Sequence, residues 1–190
     1  MPGVAAPSGD RGPAAALRGV ARLPEQTGGI RDRVARLADL GGWSDSMAAL
    51  RAPAEPDDVP DLLAGIVDSA VLRYRTHGHG SGVMLVHSAT APNAVLRVLP
   101  ALPRQQWTDS LAAAWAAAAT VTSVYAPAEP AAEADLPEPA ASPADALAMA
   151  VRHGNEHVIK FADTAADTYA RTGDPAALSA AVRATTLIDD

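Results

Sequence analysis

The chain has 190 residues and a formal net charge of −7, with 48% apolar residues but only 4% aromatic ones. That length suits one domain or part of a larger one, and the acidic balance, with no basic run along the chain, speaks against nucleic acid as a partner. The absence of cysteine excludes disulfides, thiolate metal sites, iron–sulfur clusters and a cysteine nucleophile.

Residues 1–24 are rich in Gly, Pro, Ala and Arg without a steady period, and read as a flexible N-terminal segment. The opening Met1-Pro2-Gly3-Val4 lacks the charged and apolar regions of a signal peptide. The longest apolar run, Leu111 to Val121, is too short for a membrane helix. A cytoplasmic protein that does not engage a membrane is the expectation.

A helix is expected from Gly29 to Leu40, with Ile30, Val34 and Leu37 on its inner face and Gly41-Gly42 as its stop. A short helix follows Trp43, with Ser44 as N-cap and Met47 and Leu50 as its apolar pair. Ala52 to Asp58 is an acidic, proline-rich turn. Pro60 then opens a helix whose Leu62, Leu63, Ile66, Val67, Ala70 and Val71 recur at helical spacing up to Tyr74. His77 and His79 lie among glycines, where a solvent-exposed loop is expected.

Val83 to Ala89 reads as a helical turn broken before Pro92, because the residue preceding a proline avoids the helical region. A new helix from Pro92 to Leu102 would point Val95, Leu96, Val98 and Leu99 inward, and Arg104 to Tyr125 is a strong alanine-rich helix. Residues 126–141 form an Ala/Pro/Glu linker. Ser142-Pro143-Ala144-Asp145 is a helix start, read as running to Arg171, and a last helix follows Asp174-Pro175. No strand pattern emerges. The fold class is therefore all-α, a bundle-like array over residues 25–190 that forms part of a larger helical fold.

The segment Arg152-His153-Gly154-Asn155-Glu156-His157-Val158-Ile159-Lys160 concentrates the chemistry. On one continuous helix, His153, His157 and Lys160 share a face, and two imidazoles four residues apart can bind one metal ion. The same histidines on an alanine-rich helix can equally be a surface coincidence. His153-x-x-Glu156-His157 also matches the inverted zinc-protease pattern, in which Glu156 would be the general base, but no third ligand motif accompanies it. Lys160 is the only lysine among 15 basic residues, and a lysine at a helix edge can simply reach for water. His87 is a lone histidine in an apolar stretch, one turn before the expected break.

At these segments the chain resembles the questin oxidase-like family. The stretches that carry the resemblance are Met84-Leu85-Val86-His87-Ser88-Ala89-Thr90-Ala91-Pro92-Asn93-Ala94, the alanine-rich helix around Trp115, and His153-Gly154-Asn155-Glu156-His157-Val158-Ile159-Lys160-Phe161. The resemblance implies oxygen-dependent oxidation or ring cleavage of an aromatic polyketide such as an anthraquinone, at a non-haem iron site. It further implies His87, His153 and His157 as imidazole ligands, and Lys160 as a carboxylated lysine. A carbamate presents an oxygen ligand where a free ammonium would repel the metal, and arginine cannot form one. NADPH follows from the resemblance alone, because no Gly-x-Gly-x-x-Gly strand–helix fingerprint is present.

Family members are longer and carry further N-terminal histidines, so a second chain could supply the missing ligands. The rival reading is a truncated, catalytically inactive helical remnant that acts as a binding or interaction module.

Overall fold

Asp58 closes the acidic turn by accepting from the Ala54 and Glu55 amides, at 2.8 and 3.1 Å. Pro60 follows where its missing N–H costs nothing, and the chain enters the longest run of buried aliphatic side chains. The structure is a computed structural model that describes residues 6–189. Its helices are α1 (Pro13–Arg18), α2 (Ile30–Ala35), α3 (Trp43–Ala48), α4 (Val59–His77), α5 (Gly82–Leu85), α6 (His87–Val98), α7 (Trp107–Tyr125), α8 (Pro143–His153), α9 (Glu156–Thr172) and α10 (Ala176–Leu187). The described residues form no sheet, only two isolated bridges from Gly9 and Arg11 to Arg51 and Leu50. The expected all-α class is what the chain adopts. Among the described residues, no helix is long and apolar enough to cross a membrane.

Helix α4 is the hub, packing against α1, α6, α7, α9 and α10. Leu62, Leu63, Ile66, Val67, Ala70 and Val71 are all buried, as their spacing required. The partners are small-sided: Ala114, Ala118 and Ala119 of α7 and Ala177, Ala180, Ala181 and Ala184 of α10 are buried. Alanine surfaces let helix axes approach closely, which compensates for the few large side chains. Trp115 fills the space beneath α3, fully buried, and its Nε1 donates to the Met47 carbonyl at 2.9 Å. Tyr74 and Phe161 join α4 to α9, with ring centroids 4.4 Å apart.

Several expectations are overturned. The N-terminal segment, expected to be loosely ordered, packs onto the core over its described part; residues 1–5 lie outside the described residues. Ala16, Leu17, Val20 and Leu23 are buried. Distant polar groups hold the backbone: Leu23 N donates to Ser123 O at 3.0 Å, Ser123 Oγ to Ala21 O at 2.6 Å, and Ala21 N to Ser46 Oγ at 2.9 Å. Low composition complexity hid an anchor provided from elsewhere.

The segment after Gly29 is a short α2 and a 3₁₀ turn over Arg36–Asp39. Leu37 is buried, but Ile30 and Val34 are 45% and 39% exposed. Arg33 sets the orientation instead, donating to Gly28 O and Val124 O at 3.0 Å each and stacking 4.6 Å from the Tyr125 ring.

The expected break before Pro92 falls earlier, at Val86, and Pro92 sits inside α6. Pro92 and Ala89 are buried against the core, and that burial outweighs the backbone hydrogen bond Pro92 cannot make. This register turns Val98 outward, 51% exposed, while Leu99 stays buried. Trp43 opens α3 after a left-handed Gly42, so Gly42 and not Ser44 is the N-cap. Helix α4 runs on to His77, leaving it half-buried and only His79 exposed. The turn that follows needs glycine: a side chain at Gly80 would meet the Tyr125 carbonyl oxygen at 2.4 Å.

Residues 126–141 contain a 3₁₀ turn at Glu133–Asp135 and lie as a strap across α4 and α10. Ala131 N donates to Thr76 O at 2.8 Å, Ser179 Oγ donates to Pro137 O at 2.6 Å, and Arg75 pairs with Glu133 at 2.9 Å.

Candidate functional site

The helix expected from Ser142 to Arg171 is two helices. Ser142 caps α8 as expected, its Oγ accepting from the Asp145 amide at 3.1 Å. Gly154 then adopts φ +85°, a left-handed conformation that ends α8, and Asn155 caps α9 by accepting from the His157 amide at 2.9 Å. The shared face of His153, His157 and Lys160 therefore does not exist, because the three side chains do not ride one helix.

His153 closes α8, and its Nε2 lies 2.9 Å from the Ile188 carbonyl. A carbonyl oxygen only accepts, so Nε2 carries the proton and this ring ties α8 to the end of α10. His157 sits in the first turn of α9. Its Nδ1 lies 3.2 Å from Asn155 Oδ1 and 3.3 Å from Glu156 Oε1, both acceptors. The Nδ1–H is thereby occupied and the lone pair falls on Nε2, the arrangement a metal-ligating imidazole uses. Glu156 is 79% exposed, so Asn155 is the better-held of the two acceptors.

His87 opens α6 and meets His157 edge-to-face, with ring centroids 5.3 Å apart and an interplanar angle of 90°. Burial, and then the neighbouring Lys160 and His157, hold the His87 imidazole below its ordinary pKa, which favours the neutral, ligand-competent form. The structure thus brings together His87, His157 and Lys160, while His153 is tied to the end of α10.

Two polar clamps lock α6 to α9 and set the spacing of the histidine pair. Arg97 reaches Asp163 at 2.7 Å and Asp167 at 2.6 Å, while Asn93 Nδ2 donates to Asp167 Oδ2 at 3.2 Å and Thr164 Oγ1 at 3.3 Å. The signal for this clamp was present as complementary pairs four residues apart, Asn93/Arg97 and Asp163/Asp167, on two amphipathic helices. Asp163 and Asp167 are spent on this clamp, and Asp174 Oδ1 accepts from Ala176 N at 2.9 Å in the turn before α10.

The described residues carry the ligand set implied by the resemblance on three helices: His87 on α6, His153 on α8, and His157 with Lys160 on α9. Among them, no three His, Asp or Glu side chains are placed to hold one metal ion. What fits is a partial set: two imidazoles of the donor type that suits iron, and a lysine beside them. Trp115 has a structural position, and His77 and His79 stand apart from this set, beside Arg73 and Arg22. Compared with models of known protein families, with curated proteins and with solved structures, the chain matches none, so the likeness to questin oxidase-like proteins rests on the quoted residues.

Proposed function

We propose that this chain serves an oxygen-dependent oxidation, or ring cleavage, of an aromatic polyketide, and contributes His87, His157 and Lys160 to a non-haem iron centre. The single observation that supports this reading is the His87–His157 pair: two rings from helices far apart in sequence, 5.3 Å apart, one with its Nδ1–H already engaged. A bound iron would supply dioxygen activation. The chain's own residues hold and orient the ligands: Asn155 fixes the His157 tautomer, and Asn93, Arg97 and Asp167 keep α6 and α9 in register. Lys160 becomes an oxygen donor when its neutral amine adds to carbon dioxide and releases a proton. The remaining ligands come from a second chain.

A second reading, a helical binding module with no oxidative centre of its own, is favoured by the absence of a three-ligand group among the described residues. Metal analysis of protein produced in iron-rich medium separates the two. The proposal expects stoichiometric iron that is lost in H87A and H157A, and oxygen uptake with an anthraquinol once a partner chain is added. Iron-free protein that stays iron-free on reconstitution with ferrous ion and bicarbonate favours the module.

A further inference from the structure

The chain is acidic, yet one region gathers positive charge without compensation. Arg18 of α1, Arg22 of the segment after it, and Arg73 and His77 of α4 act on one another electrostatically. Among the described residues, none of the three arginines has a carboxylate within ion-pairing distance. The Arg73 Nε is buried and has no hydrogen-bond partner among them. An unmatched guanidinium donor costs stability, and here it adds to the cost of the uncompensated charge around it.

The space for that ligand exists. A partly enclosed groove of about 300 Å³ opens between α1 and α4. Leu17 and Leu72 line it with apolar side chains, and Arg18, Arg73, Thr76 and His77 complete its lining. Burial, then Arg22 and Arg18, lower the Arg73 pKa to about 10. Burial, then Arg73, Arg22 and His79, lower that of His77 to about 4. Burial is the larger cause of both shifts, and the surrounding positive groups add to it in the same direction, a contribution that a bound anion would offset.

We propose that the α1–α4 groove binds a small organic oxyanion, with a carboxylate or phosphate held by Arg73 and Arg18 and an apolar body lying against Leu17 and Leu72. The guanidinium fork matches either oxyanion through paired N–H donors. The site is separate from the His87–His157 pair and does not depend on a metal there.

Calorimetric titration with benzoate, phenyl phosphate and the uncharged benzamide tests this on the intact chain. The two anions tell carboxylate from phosphate preference. The expected result is one-to-one binding of at least one anion and none of benzamide. Binding should weaken about tenfold or more in R73Q and measurably in R18Q, with no change in the exposed control R51Q. The His77 ring resonances should move toward the protonated form as the anion saturates. If R73Q does not fold, R73K, which keeps the charge but loses the fork, takes its place with the same expected weakening. Failure of both anions to bind, equal binding of benzamide, or unchanged affinity in both the Arg73 and Arg18 variants overturns the proposal.

Discussion

His153 and His157 are four residues apart, and the chain gives them opposite tasks. One donates to the Ile188 carbonyl from the end of α8; the other meets the His87 ring edge-to-face from the start of α9, with its Nδ1 against Asn155. This division yields a direct prediction. H153A should destabilise the fold by about 1 kcal/mol through the lost hydrogen bond, measured by urea denaturation, while leaving metal affinity unchanged. The residue types in this region were legible from the sequence, because imidazoles and a solitary lysine stand out in an arginine-biased chain. Their grouping was not legible, since it depended on where one helix ends.

That ending is an element-scale matter. Gly154-Asn155 reads, in hindsight of geometry, as a left-handed C-terminal residue followed by an N-cap, but helical periodicity runs through it and masks the stop. Gly154 at φ +85° carries the consequence. G154A should destabilise the protein by about 1–2 kcal/mol, because the left-handed region penalises a Cβ; a continuous helix would instead be stabilised by the same change, so a melting temperature decides between the two arrangements. The α6–α9 clamp belongs to this scale too. D167A removes the acceptor shared by Asn93 and Arg97 and should cost about 1–2 kcal/mol in chemical denaturation. R97A should cost less, since Arg97 is 49% exposed and its ion pairs are screened by water. Helix starts marked by proline and a capping hydroxyl, such as Ser142-Pro143, were legible, and so was the buried face of α4. The inward faces of α2 and α6 were not, because Arg33 and Pro92 set their orientation through contacts with residues far along the chain.

Across the whole molecule, the fold converts a scattered set of arginines into a local positive region, which no linear reading of charge could show. It has a pH consequence. The unfolded chain protonates His77 near its ordinary value of 6.5, whereas burial, Arg73, Arg22 and His79 keep the folded form neutral down to about 4. Between these values the unfolded state binds more protons, so stability contributed by neutral His77 is complete above about pH 6.5 and is lost as pH falls toward 4. Melting temperatures over this window should fall more steeply in the parent than in H77Q. The all-α class was legible because helical spacing and alanine-rich faces persist throughout. The packed N-terminal segment and the strap over α4 and α10 were not, because their anchors are backbone and hydroxyl contacts made across the fold.

The central claim, that His87 and His157 present a shared pair of metal-binding nitrogens beside Lys160, is tested most directly by anaerobic titration with cobalt(II) as a spectroscopic stand-in for ferrous ion, in bicarbonate buffer. The account predicts one-to-one binding with visible d–d absorption, retained in H153A, abolished in H87A and H157A, and weakened in K160R. Absorption that never develops, or that disappears in H153A but persists in H157A, contradicts it.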